Sequence, residues 1–258
     1  MVGSTRVRVR LFTWAGEMLL GACCRRPGQE HTPSESSQVI AEVTRRRLFD
    51  ALSDTGAGYK DGVPVIHVPS ASVPQALVDA ADHDARMAVL VRMESTVMAD
   101  CEAAVLACVS VEEFRTIGIK VMEAWRAGHR EAAACLALAG AEEAVFQVTG
   151  VSRKRLDDSG RSGKYPGLQR VAARGALPHW GVESAALLGP LRTLYVNYHP
   201  ERNDPLPTAL SRHAVFHRLT LDHLHAGHSI VAIMLMASMF REIQVYCDDA
   251  LAEEHEQG

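Results

Sequence analysis

The sequence predicts an all-α protein, a helical bundle preceded by a flexible leader. From Pro74 onward, apolar residues recur at intervals of three and four, the spacing of one helix face. Alanine is abundant and aromatic residues make up only 5% of the chain, so the core should form from aliphatic and small side chains at helix contacts. The most apolar run, Ile230–Phe240, is typical of a buried central helix.

Composition limits the class of protein. The chain has 258 residues, of which 47% are hydrophobic and 22% charged, which is ordinary for a globular protein with a sizeable core. The formal net charge of −4 argues against a protein that coats nucleic acid by bulk attraction, although a local basic patch is compatible with it. We expect residues 1–37 to form the flexible leader and residues 38–258 to form one helical domain.

The leader has two interpretations. Residues 25–37 are rich in Pro, Ser, Gln and Glu, which favours a poorly ordered segment. Alternatively, the stretch that ends Leu20-Gly21-Ala22-Cys23 looks like a bacterial lipoprotein cleavage site, although Glu17 interrupts its short apolar region. We favour the first interpretation.

The cysteines indicate a reducing compartment. None of the six forms a C-x-x-C pair, and four of them lie in apolar helical stretches, where free cysteine acts as a small hydrophobe. The apolar run Ile230–Phe240 is about half of the roughly 20 residues that a membrane span requires. We therefore expect a cytoplasmic protein without disulfides and with no membrane partner.

The first half of the chain is predicted as helices after one loop. A helix over Val39–Leu52 should stop at Gly56, and residues 56–69 should form a loop with one short strand, Val63–Val68, interrupted by Pro64. Apolar residues from Leu77 to Val91 suggest one helix. A stripe at four-residue spacing continues it, made of Val97, Cys101, Val105 and Cys108.

An αα-hairpin should follow. Ser110 and Glu113 form an S-x-x-E capping box, which opens a helix with one apolar face. The members of that face are Phe114, Ile117, Val121, Met122 and Trp125. Gly128 is placed to end this helix, and the next one, Arg130–Thr149, begins so soon that the two should pack antiparallel.

The C-terminal part is predicted as three further helices. The first runs over Val182–Tyr198, with a kink at Pro190, and a linker, His199–Pro207, follows it. Thr208 should cap a short helix that extends through His217. After a connection, the central helix should run from Ile230 to about Tyr246, and the acidic tail beyond Asp248 should fray.

A basic segment interrupts the helical pattern between residues 152 and 174. One interpretation is a loop that contacts phosphates, and the other is a solvated surface connection. As candidate nucleic-acid contacts we single out Arg153, Lys154, Arg155, Arg161 and Lys164.

The candidate site lies near the C-terminus, where histidines crowd together: His213, His217, His223, His225 and His228. The segment Ser211–His217 contains the pattern R-x4-H, formed by Arg212 and His217. This pattern is followed by a connection and then by the apolar helix. Over about residues 175–248, the arrangement resembles HEPN domains. It is also similar to an NRHAxxHG block found near the C-termini of uncharacterised bacterial proteins, with Ser211 in place of Asn and Arg218 in place of Gly.

The resemblance implies an all-helical, metal-independent RNA endonuclease of a defence or toxin–antitoxin system. His217 would be the general base or acid at a ribose 2′-hydroxyl, Arg212 would hold the scissile phosphate, and His213 would support them. Such sites are composite, so the resemblance implies a homodimer, with RNA as substrate and no cofactor. Positions five apart point about 140° away from each other on a straight helix. The pair therefore requires either an arginine at the helix start or pairing across the dimer.

Two alternatives compete with the nuclease. His213 and His217 are four apart, which is the spacing of two zinc ligands, and His223, His225 or His228 could be the third, although Ala214 stands where a metalloprotease has Glu. Alternatively, Arg212 pairs with an acidic side chain and braces the short helix. The protein would then be a non-catalytic helical module that binds a partner such as an antitoxin. Separately, Glu94, Asp100, Glu102, Glu142 and Glu143 could supply an acid group, although such residues on amphipathic helices usually form a solvated face.

Overall fold

The computed structural model describes residues 61–70, 72–149, 187–217 and 220–256. These residues form α-helices and one 3-10 turn, Pro200–Arg202, without a strand, which confirms the all-α prediction for the part described. The predicted leader and the helix over Val39–Leu52 lie outside these residues. The helices are α1 Ser72–Asp79, α2 His83–Arg92, α3 Glu94–Leu106, α4 Glu112–Arg126, α5 Arg130–Thr149, α6 Leu191–Leu194, α7 Arg212–His217 and α8 Ala226–Glu256.

Helix α8 lies at the centre and packs against α2, α3, α4 and α5. Every residue from Ile230 to Phe240 is at most 1% exposed, which confirms the predicted core helix. The prediction of its end was wrong, because α8 continues through the acidic tail to Glu256. Ala, Leu and Glu favour helices, and Gln244 Nε2 donates to Asp248 Oδ1 at 2.6 Å across one turn.

One stretch of the described chain, Ala226–Asp248, is long and apolar enough by length and composition to cross a membrane. The surrounding helices bury 78% of it, and the core helix of a soluble protein passes the same test. The stretch therefore gives only weak evidence about a membrane.

Helices α4 and α5 form the predicted hairpin. Gly128 has φ +84°, and its N–H donates to the Trp125 carbonyl at 2.9 Å, so it ends α4 as predicted. Two other glycines allow close helix contact. A Cβ at Gly118 would lie 2.6 Å from Val105 Cγ1, and a Cβ at Gly140 would lie 2.9 Å from Phe240 Cζ. The bundle is thus packed through small residues, as the alanine-rich composition predicts.

The stripe Val97, Cys101, Val105 and Cys108 is fully buried, as predicted. The prediction of a capping box at Ser110 and Glu113 was wrong. Helix α4 begins at Glu112 without a side-chain cap, and the Ser110 hydroxyl instead accepts a hydrogen bond from Gln244 Nε2 of α8 at 2.9 Å. A tertiary contact therefore takes the group that local spacing assigned to the cap.

The single helix suggested from Leu77 to Val91 is two helices. Asp82 adopts an extended conformation between them, and its carboxylate accepts a hydrogen bond from the Ala85 N–H at 2.8 Å. Asp82 is therefore the N-cap of α2, and its extended backbone separates α2 from α1.

The predicted strand Val63–Val68 is absent. The segment instead lies as a single, largely buried chain without a neighbouring strand among the described residues. Pro64 and Pro69 lack an N–H for a ladder, and the Ile66 carbonyl accepts from Ser238 Oγ of α8 at 2.7 Å. His67 Nε2 and Glu242 Oε2 lie 2.7 Å apart. Helix α8 therefore supplies the hydrogen bonds that a partner strand would give.

In the described part of the helix predicted over Val182–Tyr198, residues 187–188 and 191–194 are helical and the helix is interrupted at Pro190, where a kink was predicted, but the predicted end was wrong. Helix α6 ends at Leu194, and residues 196–199 are not helical, although Leu187, Leu188, Leu191, Leu194, Tyr195 and Tyr198 are buried as their spacing predicts. Helix α7 begins at Arg212, and Ser211 rather than Thr208 caps it by accepting from the Ala214 N–H at 3.3 Å.

Cys101, Cys108, Cys135 and Cys247 are free thiols, in agreement with the prediction for this part of the chain. Cys23 and Cys24 lie outside the described residues. Burial thus explains the described cysteines, which need no disulfide role.

Candidate functional site

Helix α7 carries the R-x4-H residues. Ala214 and Val215 face the core, while Phe216 and His217 are exposed. Arg212 and His213 are half-buried. This short helix therefore places one histidine in solvent and its arginine at the boundary with the bundle.

Arg212 is anchored to α5. Its Nε donates to Glu142 Oε2 at 2.9 Å, and each of the two side chains is only 12% exposed. The guanidinium carbon lies 5.3 Å from the centroid of the Phe216 ring. The charge of Arg212 is thus held in a fixed place at the helix start, by an acidic partner from a helix 70 residues earlier.

His213 and His217 share the outer part of α7. Their ring centroids are 5.3 Å apart with an interplanar angle of 32°, as the four-residue spacing predicts. The structure therefore brings two imidazoles side by side on the helix that begins at the anchored arginine. The basic candidates Arg153, Lys154, Arg155, Arg161 and Lys164 lie outside the described residues.

A second group of histidines packs where the N-terminal end of α8 meets α2, and we call it the histidine cluster: His83, His223, His225 and His228. The His225 and His228 rings stack with centroids 4.0 Å apart. The His223 and His83 rings lie edge-on to His228, at 4.9 and 5.8 Å. Sequence reasoning placed three of these histidines in a connection and did not connect them with His83.

His228 is only 2% exposed, as is His223 of the same cluster. The Nδ1 of His228 lies 2.6 Å from the His223 carbonyl, so Nδ1 carries the proton and donates it. Nε2 is buried and has no hydrogen-bond partner among the residues that the structure describes. Burial, together with the nearby His225, lowers the pKa of His228 to about 3, and the ring is therefore neutral at physiological pH.

Asp61, Arg86 and His83 extend the cluster. Arg86 Nη1 donates to Asp61 Oδ2 at 2.5 Å, and His83 Nδ1 lies 3.2 Å from Asp61 Oδ1. Burial of Asp61 acts to raise its pKa, but the bonds from His83 and Arg86 outweigh burial and the pKa is lowered. One feature of the sequence indicates the Arg86–Asp61 pair. Arg86 lies beside Met87 and Leu90 on a core face, where a buried arginine needs an acidic partner.

The zinc alternative finds no support in the described residues. Within them, no group of three or more His, Cys, Asp or Glu side chains has the arrangement to hold a metal ion. His213 and His217 come together, but none of His223, His225 and His228 joins them as a third ligand.

No family model, curated protein or solved structure matches this chain.

Proposed function

We propose that the protein is a metal-independent RNA endonuclease whose site is formed by α7. The observation that supports this proposal is the pair of imidazoles, His213 and His217, 5.3 Å apart on a helix whose first residue, Arg212, is anchored by Glu142. Imidazole titrates near neutral pH, so one ring can accept a proton while its neighbour donates one. The R-x4-H resemblance to HEPN domains gives the same assignment.

The chemistry needs no metal. A neutral imidazole removes the proton from a ribose 2′-hydroxyl, and the 2′-oxygen attacks the adjacent phosphorus. The P–O2′ bond forms as the P–O5′ bond breaks, and a protonated imidazole gives its proton to the departing 5′-oxygen. We assign the removal of the 2′-proton to His217, which is exposed, and the proton given to the 5′-oxygen to its neighbour His213. Arg212 would stabilise the charge on the phosphate, because guanidinium presents several N–H donors in one plane.

Further parts of the proposal follow from the same resemblance. A homodimer would bring two α7 helices together, residues 153–164 would contact RNA, and an antitoxin-like partner would regulate the enzyme in the cytoplasm. The reaction would need no cofactor.

The test is cleavage of a mixed RNA substrate in the presence of a chelator. We would compare wild type with His217→Ala, Arg212→Ala and His213→Ala, and use His129→Ala, an exposed histidine before α5, as the matched control. The proposal expects 2′,3′-cyclic phosphate products, loss of at least about a hundredfold in rate for His217→Ala, and an unchanged rate for the control. If folded wild type does not cleave, or if His217→Ala cleaves as fast as wild type, the proposal fails.

A second candidate is a non-catalytic module that binds a protein partner. The observation in its favour is the Arg212–Glu142 ion pair, which engages the arginine inside the protein, while Phe216 and Leu221 are 44% and 69% exposed. On this hypothesis wild type cuts no RNA. Phe216→Glu and Leu221→Glu would each abolish binding to a purified antitoxin-like partner, measured by calorimetry, whereas His217→Ala would not.

A further inference from the structure

A hydrogen bond joins the histidine cluster to the start of α7. The backbone N–H of Ser211 donates to Nε2 of His223 at 3.0 Å. Ser211 is fully buried and His223 is 2% exposed, so water does not compete for this bond. Ser211 also caps α7 through its hydroxyl and immediately precedes Arg212. The position of α7 therefore depends on a histidine 12 residues later.

This bond exists only while His223 is neutral. An imidazole nitrogen that accepts an N–H must carry a lone pair, and protonation replaces that lone pair with a second donor. The Ser211 N–H and the new N–H of His223 would then face each other in a buried place. The hydrogen bond would be lost, and the positive charge of His223 would be buried away from water. Burial, followed by the effect of His225, lowers the pKa of His223, so the ring is neutral at physiological pH.

Within the described residues, no carboxylate is among the groups that shift the pKa of His223. The acid of the extended cluster, Asp61, is already bonded to Arg86 and His83. The elements around the cluster carry several other charged and titratable groups. Helix α2 carries His83, Asp84 and Arg86, the segments outside the helices carry Asp61, Asp222 and His225, helix α8 carries His228, and the Arg212–Glu142 pair joins α7 to α5. Three of these groups are histidines, and burial lowers the pKa of His225 and of His228, which disfavours their charged forms.

We propose that His223 is a positioning residue that holds the start of α7 only while its ring is neutral, so that acidification releases α7 from the bundle. The functional consequence rests on the proposed nuclease site, because released Arg212 and His217 lose their fixed geometry. The release itself is a property of the fold and can be measured without RNA.

The experiment is amide hydrogen exchange of the full chain at about pH 7.5 and about pH 4.5, corrected for intrinsic exchange. The reporter is the segment 211–217, and the reference is residues 230–240 of α8. His228, with its pKa of about 3, stays neutral in this range, so it does not contribute. Wild type is compared with His223→Gln, whose amide can accept the Ser211 N–H but does not titrate. His129→Gln, an exposed substitution, is the matched control.

In wild type we expect protection of segment 211–217 to fall by up to about tenfold for each pH unit between the ordinary histidine pKa of 6.5 and the lowered pKa of His223, while α8 stays protected. His223→Gln should keep its protection at both pH values, because its amide does not titrate. Unchanged protection in wild type overturns the inference even if the variant does not fold, and equal loss in both proteins also overturns it. RNA cleavage followed in parallel separates the two proposals. Absence of cleavage at both pH values rejects the nuclease, and the exchange result still decides the role of His223.

Discussion

Arg212 of α7 and Glu142 of α5 form a 2.9 Å ion pair between side chains that are each 12% exposed. Few other ion pairs in the described chain are so deeply buried. The side chains of the Lys120–Glu123 pair, for example, are 64% and 53% exposed. A covered pair holds its geometry, whereas an exposed pair contributes little because water and salt screen it.

Glu142→Gln should lower the free energy of unfolding by about 2 kcal/mol, because it leaves the arginine charge in a largely buried place without its partner. The double variant with Arg212→Met should recover part of that loss, since no charge then remains unpaired. Urea unfolding measures both values. The control Lys120→Ala should change the free energy by less than about 0.5 kcal/mol. Equal effects at Glu142 and Lys120 would contradict the anchoring of α7.

Gly118→Ala and Gly140→Ala should each destabilise the protein by about 1–3 kcal/mol. In an exposed helix the same change stabilises by up to about 1 kcal/mol. Here the new methyl group would lie 2.6 Å from Val105 or 2.9 Å from Phe240, and the helices must separate. Thermal and urea unfolding measure the effect, with Thr116→Ala on the exposed side of α4 as control. If the Gly118→Ala variant is instead more stable than wild type, α3 and α4 must lie farther apart than the 2.6 Å contact implies.

How much of this fold the sequence predicts depends on where each interaction partner lies. The buried stripe Val97–Cys108, the stop at Gly128 and the central helix follow from local spacing, and they were predicted correctly. The capping box at Ser110 was wrong, because its hydroxyl bonds to Gln244, 134 residues away. The strand 63–68 failed for the same reason, since Ser238 bonds to Ile66.

The candidate site shows the same division. The approach of His213 to His217 follows from helical spacing, and an acidic partner for Arg212 was one of the alternatives considered. Which acid it is could not be read from the sequence, because Glu142 lies on another helix, 70 residues earlier. His83 joins the histidine cluster through a tertiary contact only, and no local pattern indicates it.

Stability should fall as the pH drops below about 6.5. The pKa of His228 is lowered from 6.5 to about 3, so between these values the unfolded chain binds more protons than the folded protein. The free energy of unfolding therefore decreases on acidification, by up to about 1.4 kcal/mol per pH unit for one such histidine. The lowered pKa of Asp61 acts in the same direction below 3.8, where its ion pair is lost.

Urea unfolding at a series of pH values checks this slope. His228→Gln, which has a lower stability at neutral pH but does not titrate, should show a flatter dependence than wild type. If the two slopes are the same, the buried His228 does not control acid stability.

The described cysteines should resist alkylation in the native protein in the order of their burial. Burial, with Asp100 nearby, raises the pKa of Cys101 far above the usual range, and burial raises the pKa of Cys108 to about 11. Since the thiolate is the reactive form, both should label very slowly with iodoacetamide. Cys135 is half-buried, with a pKa also raised by burial, and should label before them.

Mass spectrometry of peptides after timed labelling measures these rates. In urea the cysteines should label at similar rates, which provides the control. Labelling of native Cys101 as fast as Cys135 would contradict the packing of α3 against α8.

The central position of α8 determines when this protein can fold during synthesis. Helices α2 to α5 all bury their apolar faces against a helix that begins only at Ala226. A ribosome exposes these helices long before it has made their common partner, so the nascent chain must carry open apolar surface for most of its translation. We therefore expect an obligate need for chaperones on the ribosome, and rapid degradation of any product that terminates before residue 226.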